Sequence, residues 1–261
     1  MPAVRPPAVA GLFYPAEPGA LARAIRGYLD EAAEPAAVAK ALIVPHAGYV
    51  YSGPIAASAY RALAKARGRI RRVVLLGPAH RVAFAGIAVP AADAFATPLG
   101  TVTVDRDAIA AIRDLPQVTV SDEAHRLEHS LEVHLPFLEQ VLGEFTVVPL
   151  VVGEATPEAV AEVLERLWDG PETLILVSSD LSHYHDQATA RRLDSATARA
   201  IEALNPEEIA PEQACGRLPI AGLLLAARAH GLRATTLDLR NSGDTAGPRD
   251  EVVGYGAWLF A

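Results

Sequence analysis

The sequence predicts an α/β fold: a single domain over residues 1–261 with a mainly parallel or mixed sheet flanked by helices. Three features predict it. Short β-branched or Leu-rich runs recur along the chain, stretches with helical spacing separate them, and no repeat, low-complexity tract or long linker divides the 261 residues. In chain order, strands are predicted at Ala41–Pro45, Arg72–Leu76, Gly86–Pro90, Thr101–Val104, Phe145–Val151, Thr173–Ser178, Arg233–Leu239 and Val252–Phe260. Between them, Pro54–Ala66 spaces its apolar residues for one buried helical face. Thr156-Pro157 reads as an N-cap followed by proline at the first helical position, and Asn205-Pro206-Glu207-Glu208 repeats that start signal. Thr97-Pro98-Leu99-Gly100 and Asn241-Ser242-Gly243-Asp244 are turn-forming clusters, the second lying between two strong strands.

Composition narrows the function classes. With 51% hydrophobic and 21% charged residues, the chain has the makeup of a globular protein that buries its own core. Lys+Arg 23 against Asp+Glu 31 leaves a net charge of −8, which disfavours broad contact with phosphate backbones or anionic lipid. Neither nucleic acid nor a membrane is an expected partner. A lone cysteine, Cys215, cannot form an internal disulfide or a cysteine-based zinc cage, which fits a reducing compartment. The first residues lack a basic region followed by an apolar run, and no stretch reaches the length of a membrane span, so a cytoplasmic location is expected.

Chemistry concentrates where predicted strands end. Ala41–Pro45 runs into His46-Ala47-Gly48-Tyr49, Arg72–Leu76 into Gly77-Pro78-Ala79-His80, Thr173–Ser178 into Ser179-Asp180-Leu181-Ser182-His183, and Arg233–Leu239 into Asn241-Ser242-Gly243-Asp244. In open α/β sheets ligands bind beyond the carboxyl ends of strands, so these residues are expected to converge. Two imidazoles and a carboxylate from separate loops form the facial triad that holds Fe(II) with open positions, and His46, His80 and Asp244 can supply it. His183 is a candidate acid/base, and Asp180 can fix its tautomer or support the metal ligands.

A second motif competes with that reading. His125-Arg126-Leu127-Glu128-His129 matches the H-x-x-E-H pattern, which on a helix would aim two imidazoles from one face at zinc with Glu128 as general base. The segment runs on through Ser130, Glu132 and His134, a polar density that a protease motif does not require. Phosphate-binding, dinucleotide-binding and serine-nucleophile motifs are absent from the sequence. Cys215 could serve as a thiol nucleophile, although a small buried residue is the commoner fate of a lone cysteine. Tyr14, Tyr49, Tyr51, Tyr60 and Tyr184 are candidates for a pocket wall, Tyr49 and Tyr51 above all because they adjoin the His46 loop, and Arg5 to Tyr14 could form a covering loop.

Taken in order, Val4 to Pro15, Pro45-His46-Ala47-Gly48-Tyr49 with Tyr51-Ser52-Gly53, Gly77-Pro78-Ala79-His80, Glu128-His129-Ser130-Leu131-Glu132-Val133-His134-Leu135-Pro136, Ser178-Ser179-Asp180-Leu181-Ser182-His183, Cys215-Gly216-Arg217 and Asn241-Ser242-Gly243-Asp244 resemble the Memo family. Its prokaryotic branch is known as AmmeMemoRadiSam system protein B. The resemblance implies a fold like that of the class III, LigB-type extradiol dioxygenases, with a metal cleft at strand ends. It also implies that His46 and His80 are metal ligands, that His183 is a further active-site histidine, and that His129, Glu132, His134 and Asp180 belong to the cleft. Some members of the family use a cysteine as third ligand in the region before the final strand. Here that region holds Ser242, Asp244 and Thr245, so Asp244 is the expected third ligand, with Ser242 or no third residue as alternatives. Tyr49 and Cys215 complete the expected cleft and supporting residues.

The resulting expectation is a non-haem Fe(II) redox enzyme, with copper or zinc as other metals and a small molecule or peptide in the cleft. A functional link to AMMECR1-type and radical-SAM proteins follows from the family's name. Two other readings stay open: a metal- or peptide-binding protein without turnover, and a zinc-dependent hydrolase.

Overall fold

A computed structural model describes residues 3–35 and 37–261. The chain opens with a two-residue edge strand, β1 (Val4–Arg5), and an arm that leads into helix α1 (Pro18–Glu31). Strand β2 (Ala41–Val44) follows, then α2 (Tyr49–Tyr60), which tightens into a 3-10 turn at Arg61–Ala66 before β3 (Arg72–Pro78). Four short strands come next, β4 (Ile87–Val89), β5 (Ala94–Thr97), β6 (Gly100–Val104) and β7 (Val118–Val120), with α3 (Arg106–Ala110) between the last two. Helix α4 (Asp122–Arg126), a 3-10 turn at Glu132–His134 and α5 (Leu135–Leu142) precede β8 (Thr146–Val152). The second half contains α6 (Pro157–Arg166), β9 (Thr173–Ser178), β10 (His183–His185), α7 (Gln187–Glu202), α8 (Arg217–Ala229), β11 (Ala234–Asn241) and β12 (Val252–Phe260).

The twelve strands among the described residues join one mixed sheet whose main path is β1-β5-β6-β8-β3-β9-β2-β12-β10. Its centre, β8-β3-β9-β2, is parallel, while β12 is antiparallel to both β2 and β11, and β5 and β6 form an antiparallel hairpin. β2 and β9 are buried at every position, as expected of central strands covered on both faces. Helix α2 packs on β2, β11 and β12 with α1 against it, α8 packs on β3 and β9 with α6 against it, and α7 lies along β11 and β12.

All eight predicted strands are present, with ends shifted by up to two residues, whereas β1, β5, β7 and β10 were not anticipated. These four have two to four residues each, too brief to show a period. Thr156 caps α6 as its sequence implies, accepting from the Ala159 N–H at 3.2 Å. Asn205-Pro206 starts only a three-residue 3-10 turn, because Pro211 follows closely and holds Ala210 extended at ψ 156°. Helix α2 begins at Tyr49 instead of Pro54, and it is buried nearly all round, not on one face. Its first turn is held by the N-terminal arm, since the Tyr49 N–H donates to the Phe13 carbonyl at 2.8 Å. No helix among the described residues is long and apolar enough to cross a membrane.

Candidate metal centre

The parallel strands β2, β3 and β9 end side by side, so the loops that leave them meet. β2 delivers His46, β3 delivers His80, and β9 delivers Ser178 and Asp180. Cys215 reaches the same place from the turn before α8, where Gly216 presses on the end of β9. A Cβ on that glycine would lie 2.5 Å from the Ser178 carbonyl oxygen and 2.6 Å from the Ser179 Cβ, so only glycine allows the approach. Ring nitrogens of His46 and His80 and the Cys215 Sγ consequently lie within 4.8 Å of one another. The His46 Nε2 to Cys215 Sγ distance is 3.3 Å, the spacing of donors that sit about 2.0 and 2.3 Å from a common ion.

Each imidazole is fixed through its other nitrogen. His80 Nδ1 lies 2.9 Å from Glu128 Oε1, and the His80 N–H donates to Glu128 Oε2 at 2.6 Å. Because a carboxylate only accepts, His80 carries its proton on Nδ1 and presents Nε2 as a lone pair, the carboxylate–histidine arrangement that supports metal ligands. Burial alone would raise the Glu128 carboxyl, but His80 and the backbone N–H groups of His80 and Ser130 lower it to about 2. It is a fixed anion. On the other imidazole, His46 Nδ1 lies 2.6 Å from the Ser178 hydroxyl, and the His46 N–H donates to Asp180 Oδ1 at 2.7 Å.

Burial pushes the Cys215 thiol up to about 12, with the Asp180 carboxyl adding to the effect. A free nucleophilic thiolate is therefore not sustained here, whereas a coordinated cation would deprotonate the sulfur. Burial also raises Asp180 to about 7, against the pull of the His46 and Ala47 N–H groups, and lowers His183. His183 Nδ1 sits 2.7 Å from the Leu181 carbonyl, which can only accept, so Nε2 is its free, proton-accepting nitrogen.

Beside the three donors a cleft of about 360 Å³ opens, with Asp180, His183 and His129 on its walls and Phe13, Tyr51, Tyr184 and Tyr255 around them. Tyr184, between the two histidines of β10, holds a left-handed backbone with φ 61°. The N-terminal arm contributes Phe13, whose ring lies 4.8 Å from that of His129, so the expected covering segment is one wall of the cleft.

Several expected positions fall elsewhere. Asp244 is not brought to His46 and His80: its carboxylate accepts from Gln187 at 2.9 Å, Arg191 at 2.7 Å and the Asn241 N–H at 3.1 Å, closing the turn that follows β11. Ser242, two residues earlier, does line the cleft. The side chain that lies with the two imidazoles is the thiol of Cys215, not the carboxylate of Asp244. Tyr49 is buried behind the site with its hydroxyl donating to the Val133 carbonyl at 2.6 Å, and Tyr51 takes the cleft position. His134 is also buried away from the cleft, between Tyr60 and Ser178. Glu132, fully buried, is a structural hub: its oxygens accept from Arg5, Tyr14 and the backbone of Ala8 and Val9 at 2.7–2.9 Å. The loop carrying these residues sits close to the end of β3 because Gly77 lacks a side chain, and a Cβ there would lie 2.7 Å from Ser130 Oγ.

The H-x-x-E-H motif does not form a protease site. Helix α4 ends at Arg126, so His125 and His129 share no helical face, and His125 Nε2 is bonded to the Ala88 carbonyl at 3.0 Å. A grouping of His80, Glu128 and His129 is compact enough for an ion. Glu128 already receives four N–H donors there, which leaves the orientation of His80 as its task. His129 Nδ1 lies 3.3 Å from Glu128 Oε1 without hydrogen-bonding alignment. Sequence reading missed the roles of Glu128 and Ser178. Only Glu128 gave a signal, its place between two histidines.

Comparison with known proteins agrees with this architecture. The chain is 38% identical to a MEMO1 family protein of Archaeoglobus fulgidus, with 98% of this chain and 99% of the relative covered. It is 36% identical to one from Ignicoccus hospitalis, covering 98% of each, and 35% identical to one from Aquifex aeolicus, covering 98% and 99%. Among solved structures, the uncharacterized protein JW3007 from Escherichia coli K12 superposes with a TM-score of 0.54 at 15% identity, over 84% of this chain and 98% of that one, a likeness of fold. The family model for Memo-like proteins matches residues 5–259, and with relatives above 30% identity along nearly the whole length the chain belongs to the Memo family.

Proposed function

We propose that the protein is a metal-dependent redox enzyme that holds one transition-metal ion at His46, His80 and Cys215 and acts on a small molecule in the adjoining cleft. The observation behind this is the convergence of two imidazole nitrogens and one thiol within 4.8 Å, with the remote nitrogen of each imidazole hydrogen-bonded. An Asp244 carboxylate would have favoured iron. A thiolate with two imidazoles is softer and favours copper or zinc, and of these copper supports redox chemistry. A copper ion bound there would supply one-electron exchange and an open position for a substrate atom.

The chain's own residues supply the rest. Glu128 and Ser178 orient the ligands, the aromatic walls exclude water from one side of a bound molecule, and His183 Nε2 is placed to take a proton from it. The test begins with copper(II) added without oxygen. A thiolate-to-copper absorption band that Cys215→Ser abolishes, followed by substrate-dependent oxygen uptake that His183→Ala abolishes at unchanged copper content, is the expected result. Tight metal binding with no change of oxidation state under reductant and oxygen would overturn the enzymatic reading in favour of a binding protein.

A further inference from the structure

Behind His46 runs a chain of buried hydrogen bonds that ends at Tyr60. Ser178 Oγ lies 2.6 Å from His46 Nδ1 and 2.8 Å from His134 Nε2, and it donates to the Ser130 carbonyl at 2.6 Å. His134 Nδ1 lies 2.7 Å from the Tyr60 hydroxyl. Tyr60 and Ser178 have no exposed surface, and His134 and His46 have 1% and 2%. Tyr60 is further fixed by stacking on Phe137, with ring centroids 4.7 Å apart at 12°.

The donors and acceptors of this chain admit one assignment. A serine hydroxyl has one proton and two lone pairs. The Ser130 carbonyl can only accept, so the Ser178 proton goes to it, and both imidazoles must donate to Ser178. His134 therefore carries its proton on Nε2, which leaves Nδ1 to accept from the Tyr60 hydroxyl. His46 carries its proton on Nδ1, which leaves Nε2 as the lone pair facing Cys215 Sγ.

We infer that Ser178, its proton held by the Ser130 carbonyl, locks His46 in the tautomer that ligates metal, and that Tyr60 and His134 are positioning residues that keep the Ser178 proton on that carbonyl. Were the Tyr60 hydroxyl removed, His134 could carry its proton on Nδ1 and Ser178 could turn its own proton to His134 Nε2; Ser178 would still accept from His46 Nδ1, but the Ser130 carbonyl would lose its donor and the support behind His46 would loosen. The His46 tautomer rests on Ser178 and the Ser130 carbonyl, while the fixed position of Ser178 depends on every member because buried groups must find partners. The inference adds the support behind one ligand to the metal site proposed above, while its first readout needs no metal.

The experiment is long-range 1H–15N correlation of the histidine rings in metal-free, 15N-labelled full-length protein, followed by zinc titration against a chelator. In the wild type, His46 is expected as the Nδ1–H form and His134 as the Nε2–H form. Tyr60→Phe should convert His134 to a mixture of forms and weaken zinc binding about tenfold, the usual effect of losing support behind a ligand. Ser178→Ala should weaken it at least as much, and Ser178→Thr, which keeps the hydroxyl, should restore binding. A His46 ring protonated on Nε2 in the wild type would overturn the inference, and so would a Tyr60→Phe protein with unchanged tautomers and affinity. If zinc fails to bind the wild type while the tautomers are as stated, the metal reading falls and the lock remains. Should a variant not fold, the wild-type spectrum decides alone.

Discussion

At the level of single residues, the candidate site depends on where polar atoms find partners. His46 and His80 were legible because each follows an apolar strand directly, so the sheet itself puts them at one edge. Asp244 follows a strand of the same sheet edge too, and Ser242 of that turn lines the cleft. The strand-end logic failed at Asp244 because the carboxylate is engaged in its own turn, by Gln187, Arg191 and the Asn241 N–H. Nothing local marks Cys215, which is brought in by the packing of Gly216 on the end of β9. Glu128→Gln keeps an acceptor for His80 but removes the fixed charge. It should weaken metal binding by roughly one order of magnitude without loss of secondary structure, checked by chelator competition and circular dichroism.

Among the elements, the long strands and the capped helix α6 were readable from their apolar runs and N-cap, whereas what holds the N-terminal arm in place was not. The arm is tied down by Glu132, which neutralises the buried Arg5 guanidinium at 2.8 Å and also accepts from Ala8, Val9 and Tyr14. Periodicity cannot show a tie of this kind. Glu132→Gln leaves Arg5 buried without its anion and should destabilise the protein by about 3 kcal/mol, with faster amide exchange at Ala8 and Val9. Helix α7 carries a pH dependence. Burial raises Asp194 from 3.8 to about 6, although the Ser182 N–H, donating at 3.1 Å, opposes the shift. The folded state thus keeps a proton that the unfolded chain gives up first, so this stabilisation is complete below pH 3.8 and is lost as pH rises through about 6. Asp194→Asn should remove the loss, on the order of 2 kcal/mol at pH 8 relative to wild type in urea unfolding.

For the whole molecule, the alternation of strands and helices identified an α/β sheet, but not the antiparallel placement of β12 between β2 and β11 or the short outer strands. Those depend on contacts between segments far apart in sequence. Stability comes from the continuous apolar interior, which is formed without the three donors. His46→Ala is therefore expected to unfold within a few degrees of the metal-free wild type in a thermal melt. The central proposal, one ion held by His46, His80 and Cys215, is tested most directly by metal content per chain after loading and desalting, measured by mass spectrometry on wild type, His80→Ala, Cys215→Ser and Asp244→Ala. About one ion in the wild type and in Asp244→Ala, with almost none in the other two, is the predicted result. Metal retained by Cys215→Ser and lost from Asp244→Ala would contradict it.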